Sequence, residues 1–246
     1  MSGIHEVSVA LLAGGLATRL RPVTQKIPKA LIVVGGRPFI EHQLELLRRS
    51  GIRRVVLCLG HLGEMVREHL DKSPLAREMD LAYSFDGPKL LGTGGAIRRA
   101  LPLLGEVFWI MYGDSYMEID YAAVLRTFDA SPEALGLMTV IHNADRWDKS
   151  NVVWRDGRLI RYDKKERSSE MKYVDYGVAL LKSEAAWRIP EDAATDLADL
   201  YKDLVREGKM VGYEVHQRFY EIGTPASLAE ADAYLLARES EGKQKR

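Results

Sequence analysis

The sequence has a single cysteine, Cys58, among 246 residues. One thiol cannot close an internal disulfide, so a stapled secreted scaffold is excluded and a reducing cytoplasm is expected. Cys58 lies in the apolar run Val55-Val56-Leu57-Cys58-Leu59 and reads as a small core residue, not a reactive thiol. Net charge is also missing, since 35 basic residues balance 35 acidic ones. That balance argues against nucleic acid as a bulk partner, while leaving room for a local basic cluster that holds a small anion. No apolar run is long enough to span a bilayer, so no membrane partner is expected. Residues 1–6 lack a basic stretch leading into an apolar one, so no signal peptide is expected. Internal repeats and low-complexity segments are absent. The six histidines, His5, His42, His61, His69, His142 and His216, form no pair at metal spacing, which argues against a zinc site. There is no Gly-x-Ser-x-Gly nucleophile elbow.

What is present is an alternation of β-branched runs with amphipathic stretches. Strands are predicted at 7–12, 53–59, 81–85 and 107–112, and helices at 38–50, 63–70 and 94–104. In the helix at 38–50, Ile40, Leu44 and Leu47 share one face and Gly51 supplies the stop. Strand–helix–strand alternation predicts a mostly parallel sheet covered by helices on both faces. Past Leu135 the rhythm changes to strands at 135–141, 151–155, 159–162 and 173–181, followed by helices at 196–207 and 225–237. Residues 238–246 read as a charged, frayed tail. The layout predicts one domain over 1–238, with a nucleotide half near 7–134 and an acceptor half near 135–237, then a tail at 239–246. In open α/β sheets ligands sit beyond the carboxyl ends of the strands, so motifs just after strands matter most.

The first of these is Leu12-Ala13-Gly14-Gly15-Leu16-Ala17-Thr18-Arg19-Leu20. Adjacent Gly14 and Gly15 are expected to turn through positive φ and bring the backbone close to a ligand. Exposed N–H groups of Leu12, Ala13, Gly14 and Gly15 can then cradle phosphate oxygens, with Arg19 as a fork of donors. A plain strand-to-helix turn with a surface arginine is the competing reading. The loop is neither a Walker A loop nor a dinucleotide Gly-x-Gly-x-x-Gly. Next, Pro28 stiffens the backbone before Lys29, which can deliver a point charge to phosphate. In Gly92-Thr93-Gly94-Gly95-Ala96, small residues either let a base or ribose pack on backbone or allow close helix packing. Gly113-Asp114 ends the apolar strand, where a carboxylate either holds a metal or caps a turn.

In the second half, Asp163-Lys164 follows one strand and Tyr173-Val174-Asp175-Tyr176-Gly177 lies about one strand later. Lys164 there can neutralise the phosphate of an acceptor. Glu221 precedes Gly223-Thr224-Pro225; it is either a second metal carboxylate or a strand-end charge, and Thr224 can cap the following helix.

Taken together and in order, these motifs resemble the sugar-1-phosphate nucleotidyltransferase family from near Val7 to about Leu236. The Gly14-Gly15-Leu16-Ala17-Thr18-Arg19 loop with Pro28-Lys29 is similar to the family's signature, Leu91-Gly92-Thr93-Gly94-Gly95-Ala96 to its base-side segment, and Tyr112-Gly113-Asp114 to its metal-aspartate strand. Asp163-Lys164 resembles its Glu-Lys pair and Ile222-Gly223-Thr224-Pro225 its last motif. Pro38-Phe39-Ile40-Glu41-His42-Gln43-Leu44 and Gly113-Asp114-Ser115-Tyr116 look most like the heptose-1-phosphate guanylyltransferases.

The resemblance implies a Rossmann-like three-layer α/β/α sandwich with a mostly parallel mixed sheet. It implies transfer of a nucleotide from a nucleoside triphosphate to a phosphorylated small molecule, a sugar 1-phosphate, with Mg²⁺ as cofactor. By residue, Gly14, Gly15 and Arg19 would hold the triphosphate, and Lys29 would bridge the two substrates' phosphates. Leu12, Ala13, Gly92, Thr93, Gly94 and Gly113 would face the nucleotide. Asp114 and Glu221 would bind Mg²⁺, and Lys164 the acceptor phosphate. Asn151, Asp163, Asp175 and Gly177 would face the acceptor. The chain departs from the pattern at Glu221, where many members carry Asp, at Asp175-Tyr176-Gly177, where many carry Asn, and at Ser150-Asn151, where a Tyr-Gly pair is common. Two other readings stand beside this one: a cytidylyltransferase for a phosphate such as phosphocholine, and a non-catalytic nucleotide-binding regulator.

Overall fold

Successive side chains of a strand point to opposite faces of its sheet, and the first strand uses both. In β1 (Ser8–Leu12), Val9 and Leu11 enter one core and Ala10 the other. The computed structural model describes residues 3–244, with side chains through residue 240. After β1 come a small hairpin, β2 (Val33–Val34) and β3 (Arg37–Pro38), then α1 (Phe39–Arg49), β4 (Arg54–Leu59), α2 (Gly63–Lys72) and β5 (Asp80–Phe85). The chain continues through α3 (Gly92–Ala100), β6 (Val107–Tyr112), β7 (Ser115–Tyr116), α4 (Tyr121–Asp129) and β8 (Gly136–His142). The last third holds β9 (Val152–Arg155), β10 (Arg158–Tyr162), β11 (Tyr173–Lys182), α5 (Ser183–Ala186), α6 (Leu197–Arg206), β12 (Met210–Val215), β13 (Tyr220–Glu221) and α7 (Pro225–Gln244).

Nine strands form one sheet in the order β10-β9-β11-β6-β1-β4-β5, with β8 on β11 and β12 beside β8. Strands β1, β4, β5, β6, β8, β9 and β12 run one way, and β10 and β11 oppose them. The sheet is therefore mixed and mostly parallel. Helices α1, α2 and α4 cover one face through Ile40, Leu44, Val66, Leu70, Val124 and Phe128. Helices α3, α5 and α6 cover the other through Ile97, Ala100, Ala185, Leu197, Tyr201 and Leu204. Because both faces are covered, strands such as β6, Val-Phe-Trp-Ile-Met-Tyr, read as continuous apolar runs. Fully burying one such side chain contributes about 1.5–3 kcal/mol. This is the three-layer α/β/α sandwich expected from the sequence.

Local chemistry explains most boundaries. Helix α1 stops where Gly51 takes φ +86° and the Ile52 N–H returns to the Leu47 carbonyl, a left-handed glycine cap. The helix predicted at 94–104 begins at Gly92 and gives way at Leu101–Leu103 to a 3-10 turn, because Pro102 has no N–H to continue the ladder. Thr224 and Ser227 cap α7 reciprocally, with Ser227 N–H on Thr224 Oγ1 at 3.1 Å and Thr224 N–H on Ser227 Oγ at 2.9 Å. Where the sequence predicts a frayed tail, α7 is assigned through Gln244, and Arg238 and Glu239 pair with Glu118 and Arg37. Lys245 and Arg246 lie outside the described residues. Helix α4 and strand β12 were not foreseen. Both pack on β8, so tertiary burial decides them. No helix among the described residues is long and apolar enough to cross a membrane.

Candidate active site

Parallel strands present their carboxyl ends along one edge, so the segments following β1, β4, β5 and β6 meet there. They enclose a cavity of about 530 Å³. Its walls include the loop from Leu12 to Arg19, Lys29, Cys58, Asp86, Gly92, Thr93 and the Tyr112-Gly113-Asp114 corner. The predicted triphosphate loop, base-side segment and metal aspartate are thus brought together.

The glycines act differently from the expectation. Neither Gly14 nor Gly15 takes positive φ; Ala17 does, at +46°. The Ala17 turn is held by Thr24, buried, whose hydroxyl donates to the Ala17 carbonyl at 2.9 Å. Gly14 is required because a Cβ there would stand 2.8 Å from the Gly60 backbone nitrogen, and its carbonyl accepts from His61 N–H at 3.1 Å. A Cβ on Gly15 would meet nothing within 4 Å, so the protein itself leaves that face of the loop open to a ligand. In the second glycine-rich segment, Gly92 and Thr93 line the cavity and Gly94 does not. A Cβ on Gly94 or Gly95 would lie 2.6 Å or 2.4 Å from Thr195 Oγ1 or the Ala193 carbonyl. Gly94 N–H also donates to the Thr195 carbonyl at 2.9 Å. The Cβ-facing sides of these two glycines are therefore taken up by close packing of α3 against the 193–196 segment, the close-packing alternative of the sequence reading.

Lys29, introduced by Pro28 into a short 3-10 turn, reaches the Asp114 carboxylate at 2.7 Å. The corner carrying Asp114 is fixed from below by Gln43 of α1, fully buried, whose amide donates to the carbonyls of Tyr112 at 3.0 Å and Ser115 at 2.8 Å. Strand β13 pairs antiparallel with β7, setting Glu221 opposite Ser115, and Ile222 N–H donates to the Asp114 carbonyl at 2.9 Å. Burial and the nearby charges of Asp114 and Asp148 push the Glu221 carboxyl up, offset in part by Lys29 and Arg19. Two carboxylates crowded together at a half-buried spot, beside cations that offset only part of their repulsion, suit a hard divalent ion. Mg²⁺ typically takes one or two carboxylates, with substrate phosphates completing its shell. The donor set fits.

In the second half of the chain, β11 bulges. Asp175 pairs with Val140 and Ala179 with Met138, so the chain gains residues between them, and Gly177 there adopts φ +98°. The bulge aims Asp175 inward, where its carboxylate accepts from Gly177 N–H at 3.0 Å and the Tyr162 hydroxyl at 3.5 Å. Burial holds its carboxyl above the ordinary range, with Lys164 opposing the shift. Asn151 supports it, taking the Asp175 N–H on Oδ1 at 3.0 Å. The Lys164 ammonium stands 5.5 Å from the centre of the Tyr112 ring, on the flank of the cavity. The Tyr112 hydroxyl is buried without a hydrogen-bond partner among the described residues.

Asp163 does not join this group. Its carboxylate is turned into the protein, accepting from Lys165 N–H at 2.8 Å and Glu166 N–H at 2.9 Å and pairing with Lys202 at 2.5 Å. It shapes the turn that presents Lys164 and does not face the cavity. One charged cavity residue escaped sequence reading. Asp86 follows β5 as the other motifs follow their strands, but its context, Asp86-Gly87-Pro88 with Gly87 at φ +82°, reads locally as an ordinary turn. It is buried, with Oδ2 accepting from Leu91 N–H at 3.1 Å, and burial raises its carboxyl.

This fold and this loop-lined cavity define a class, and comparison with known proteins identifies it. Residues 8–238 match the profile of the nucleotidyl transferase family, and the chain belongs to that family. The N-acetylmuramate alpha-1-phosphate uridylyltransferase of Caulobacter vibrioides is 30% identical over 237 residues, 92% of this chain and 95% of that one. The D-glycero-alpha-D-manno-heptose 1-phosphate guanylyltransferase of Campylobacter jejuni is 30% identical over 146 residues, spanning 59% of this chain and 63% of the relative. The crystal structure of HddC from Yersinia pseudotuberculosis complexed with GMP-PN has the same fold, with a TM-score of 0.76 at 23% identity, covering 93% of this chain and 99% of that one.

Proposed function

We propose that this chain catalyses the reaction of a nucleoside triphosphate with a sugar 1-phosphate to give a nucleoside-diphosphate sugar and pyrophosphate, supplying precursors for cell-surface glycans. The observation that carries the reading is the Lys29–Asp114 pair at the mouth of the Gly14-Gly15 loop, with Glu221 alongside. In this reading the loop N–H groups and Arg19 hold the triphosphate, and Lys164 draws in the acceptor phosphate. An acceptor phosphate oxygen attacks the α-phosphorus, the bond from that phosphorus to its bridging oxygen breaks, and pyrophosphate leaves. Lys29 sits where both substrates' phosphates would meet and compensates their repulsion. Asp114 and Glu221 would hold Mg²⁺, which when bound shields the phosphates and orients in-line displacement. Residues 1–238 would act as one unit, its nucleotide half (7–134) and acceptor half (135–237) sharing the sheet.

The base we favour is guanine. Asp86 is a carboxylate in the cavity wall away from Asp114, and guanine alone among the common bases offers two adjacent donors, N1–H and N2–H, to a carboxylate. The acceptor we favour is a heptose or hexose 1-phosphate. Asp175 already faces Lys164 and two hydrogen-bond donors, so it has no unmet need for a cationic acceptor such as phosphocholine. Pyrophosphate release from the purified protein with each common nucleoside triphosphate and a panel of 1-phosphates tests the proposal. Turnover with GTP and a sugar 1-phosphate is expected. Turnover only with CTP and phosphocholine, or none in any pairing, would overturn it.

A further inference from the structure

The three groups at the reacting centre come from distant arms of the chain, and α7 touches the roots of all three. On one side, Asp232 accepts the Gly35 N–H at 2.7 Å, and Leu235 packs with Val34 in the hairpin that follows the Lys29 turn. A Cβ on Gly35, at φ +55°, would stand 2.8 Å from Leu235 Cβ, so helix and hairpin are in close apposition. Arg37 of the same hairpin pairs with Glu239 at 3.3 Å. On the other side, the Tyr234 ring lies flat on Tyr220, with centroids 3.9 Å apart and planes 14° from parallel; Tyr220 is the residue before Glu221. The Tyr234 hydroxyl donates to Glu118 at 2.5 Å, and Arg238 pairs with the same carboxylate, just beyond the strand that follows Asp114. A small separate core of Val34, Phe39, Tyr116, Ile222, Ala231 and Leu235 fills the space between.

We propose that α7 is a brace, with Tyr234 as its positioning residue, that holds β13 on β7 so that Glu221 faces Asp114 and both face Lys29. The β13–β7 pair is a two-residue ribbon outside the main sheet, and a ribbon that short does not hold its register unaided. Its register is what sets Glu221 opposite Ser115 and the Ile222 amide on the Asp114 carbonyl. Tyr234 touches no substrate; it acts through Tyr220 and Glu118. The proposal rests on the reading of Asp114 and Glu221 as a divalent-cation site, but its first readout does not.

The test compares the full-length wild type with Tyr234→Leu and Tyr234→Phe, using amide hydrogen exchange of the metal-free proteins and Mn²⁺ titration followed by electron paramagnetic resonance. In Tyr234→Leu the Ile222 amide should exchange faster while the Gly94 amide, on the far side of the sheet, keeps its protection. Mn²⁺ affinity should fall about tenfold, the scale for losing a group that orients a metal ligand. Tyr234→Phe keeps the stacked ring and loses the bond to Glu118, so smaller shifts in both readouts are expected. An Ile222 amide as protected as in wild type overturns the brace. Faster Ile222 exchange with unchanged Mn²⁺ affinity overturns the positioning role. If Tyr234→Leu loosens Gly94 as well, Tyr234→Phe decides, and a lack of change there overturns the proposal. A Glu221→Gln protein that binds Mn²⁺ like wild type would instead sink the cation-site reading, leaving the brace to be judged on Ile222 exchange.

Discussion

Lys29 and Asp114, 85 positions apart in the chain, meet in a 2.7 Å ion pair at the mouth of the cavity. The Lys29 side chain is 16% exposed and that of Asp114 34%, so both charges are close to water yet held by their neighbours. Asp114→Ala should lower kcat by roughly two to three orders of magnitude, the scale for removing one electrostatic stabiliser of a transition state. Steady-state kinetics in saturating Mg²⁺ checks this, and near-normal turnover would remove Asp114 from the site.

Arg19 is exposed on the cavity rim. Its contribution is expected to be phosphate contact and not packing. Arg19→Ala should weaken nucleotide binding by on the order of tenfold to a hundredfold, as for loss of a charge-assisted contact, with the melting temperature unmoved. Parallel losses of stability and activity would mark it as a structural arginine.

Asp86→Asn replaces one acceptor oxygen with a donor in the cavity wall. If Asp86 reads guanine, kcat/KM for GTP should drop relative to UTP by on the order of tenfold or more, because buried groups are left mispaired. An unchanged GTP-to-UTP ratio would confine Asp86 to ordering the turn toward Leu91.

Lys164 and Asp175 should separate by substrate. Lys164→Ala should raise KM for the 1-phosphate far more than for the nucleotide, since only the acceptor loses its counter-charge. Asp175 also has a stability signature. Its carboxyl is raised in the folded state, mainly by burial. The ionised form is thus disfavoured on folding, and wild-type stability falls as pH rises through the folded pKa. Asp175→Asn should therefore melt higher than wild type at pH 8, and the gap should close in acid. Thermal melts across that range decide it.

Asp163 carries the opposite sign. Loop amides and Lys202 hold its carboxyl down to about 2. Its stabilisation is present above the ordinary carboxylate range and is lost as pH falls toward 2. Asp163→Asn should cost on the order of 1–2 kcal/mol at pH 7 and flatten the acid limb of the stability curve. Urea melts at pH 7 and pH 3 check this; equal curves would show that the Lys202 pair contributes nothing.

Local sequence was enough for eight of the sheet's nine strands, the covered sheet and the cavity edge. Alternation in β1 and the continuous apolar run of β6 each encode a face pattern that short-range sterics and burial enforce. Glycine-rich segments at strand ends marked the loop from Leu12 to Arg19, Gly92-Thr93 and Gly113-Asp114, because ligands collect where parallel strands end. Packing decided the rest. Gly94 and Gly95 look like ligand-facing glycines, but the 193–196 segment, about a hundred residues later, lies against them. Asp163 looks like half of a substrate-binding pair until Lys202 from α6 takes its carboxylate. The Asp86-Gly87-Pro88 signature is that of an ordinary turn, and only the closing of the sheet places Asp86 in the wall. Residues 239–244, read in isolation as a charged tail, are helical in the structure, where α7 has Glu118, Arg37 and Tyr220 to meet. A side chain's intrinsic preferences act over a few residues, whereas a carboxylate's partner depends on which strands the topology makes neighbours. Elements could therefore be read along the chain, while partners could be read only in space.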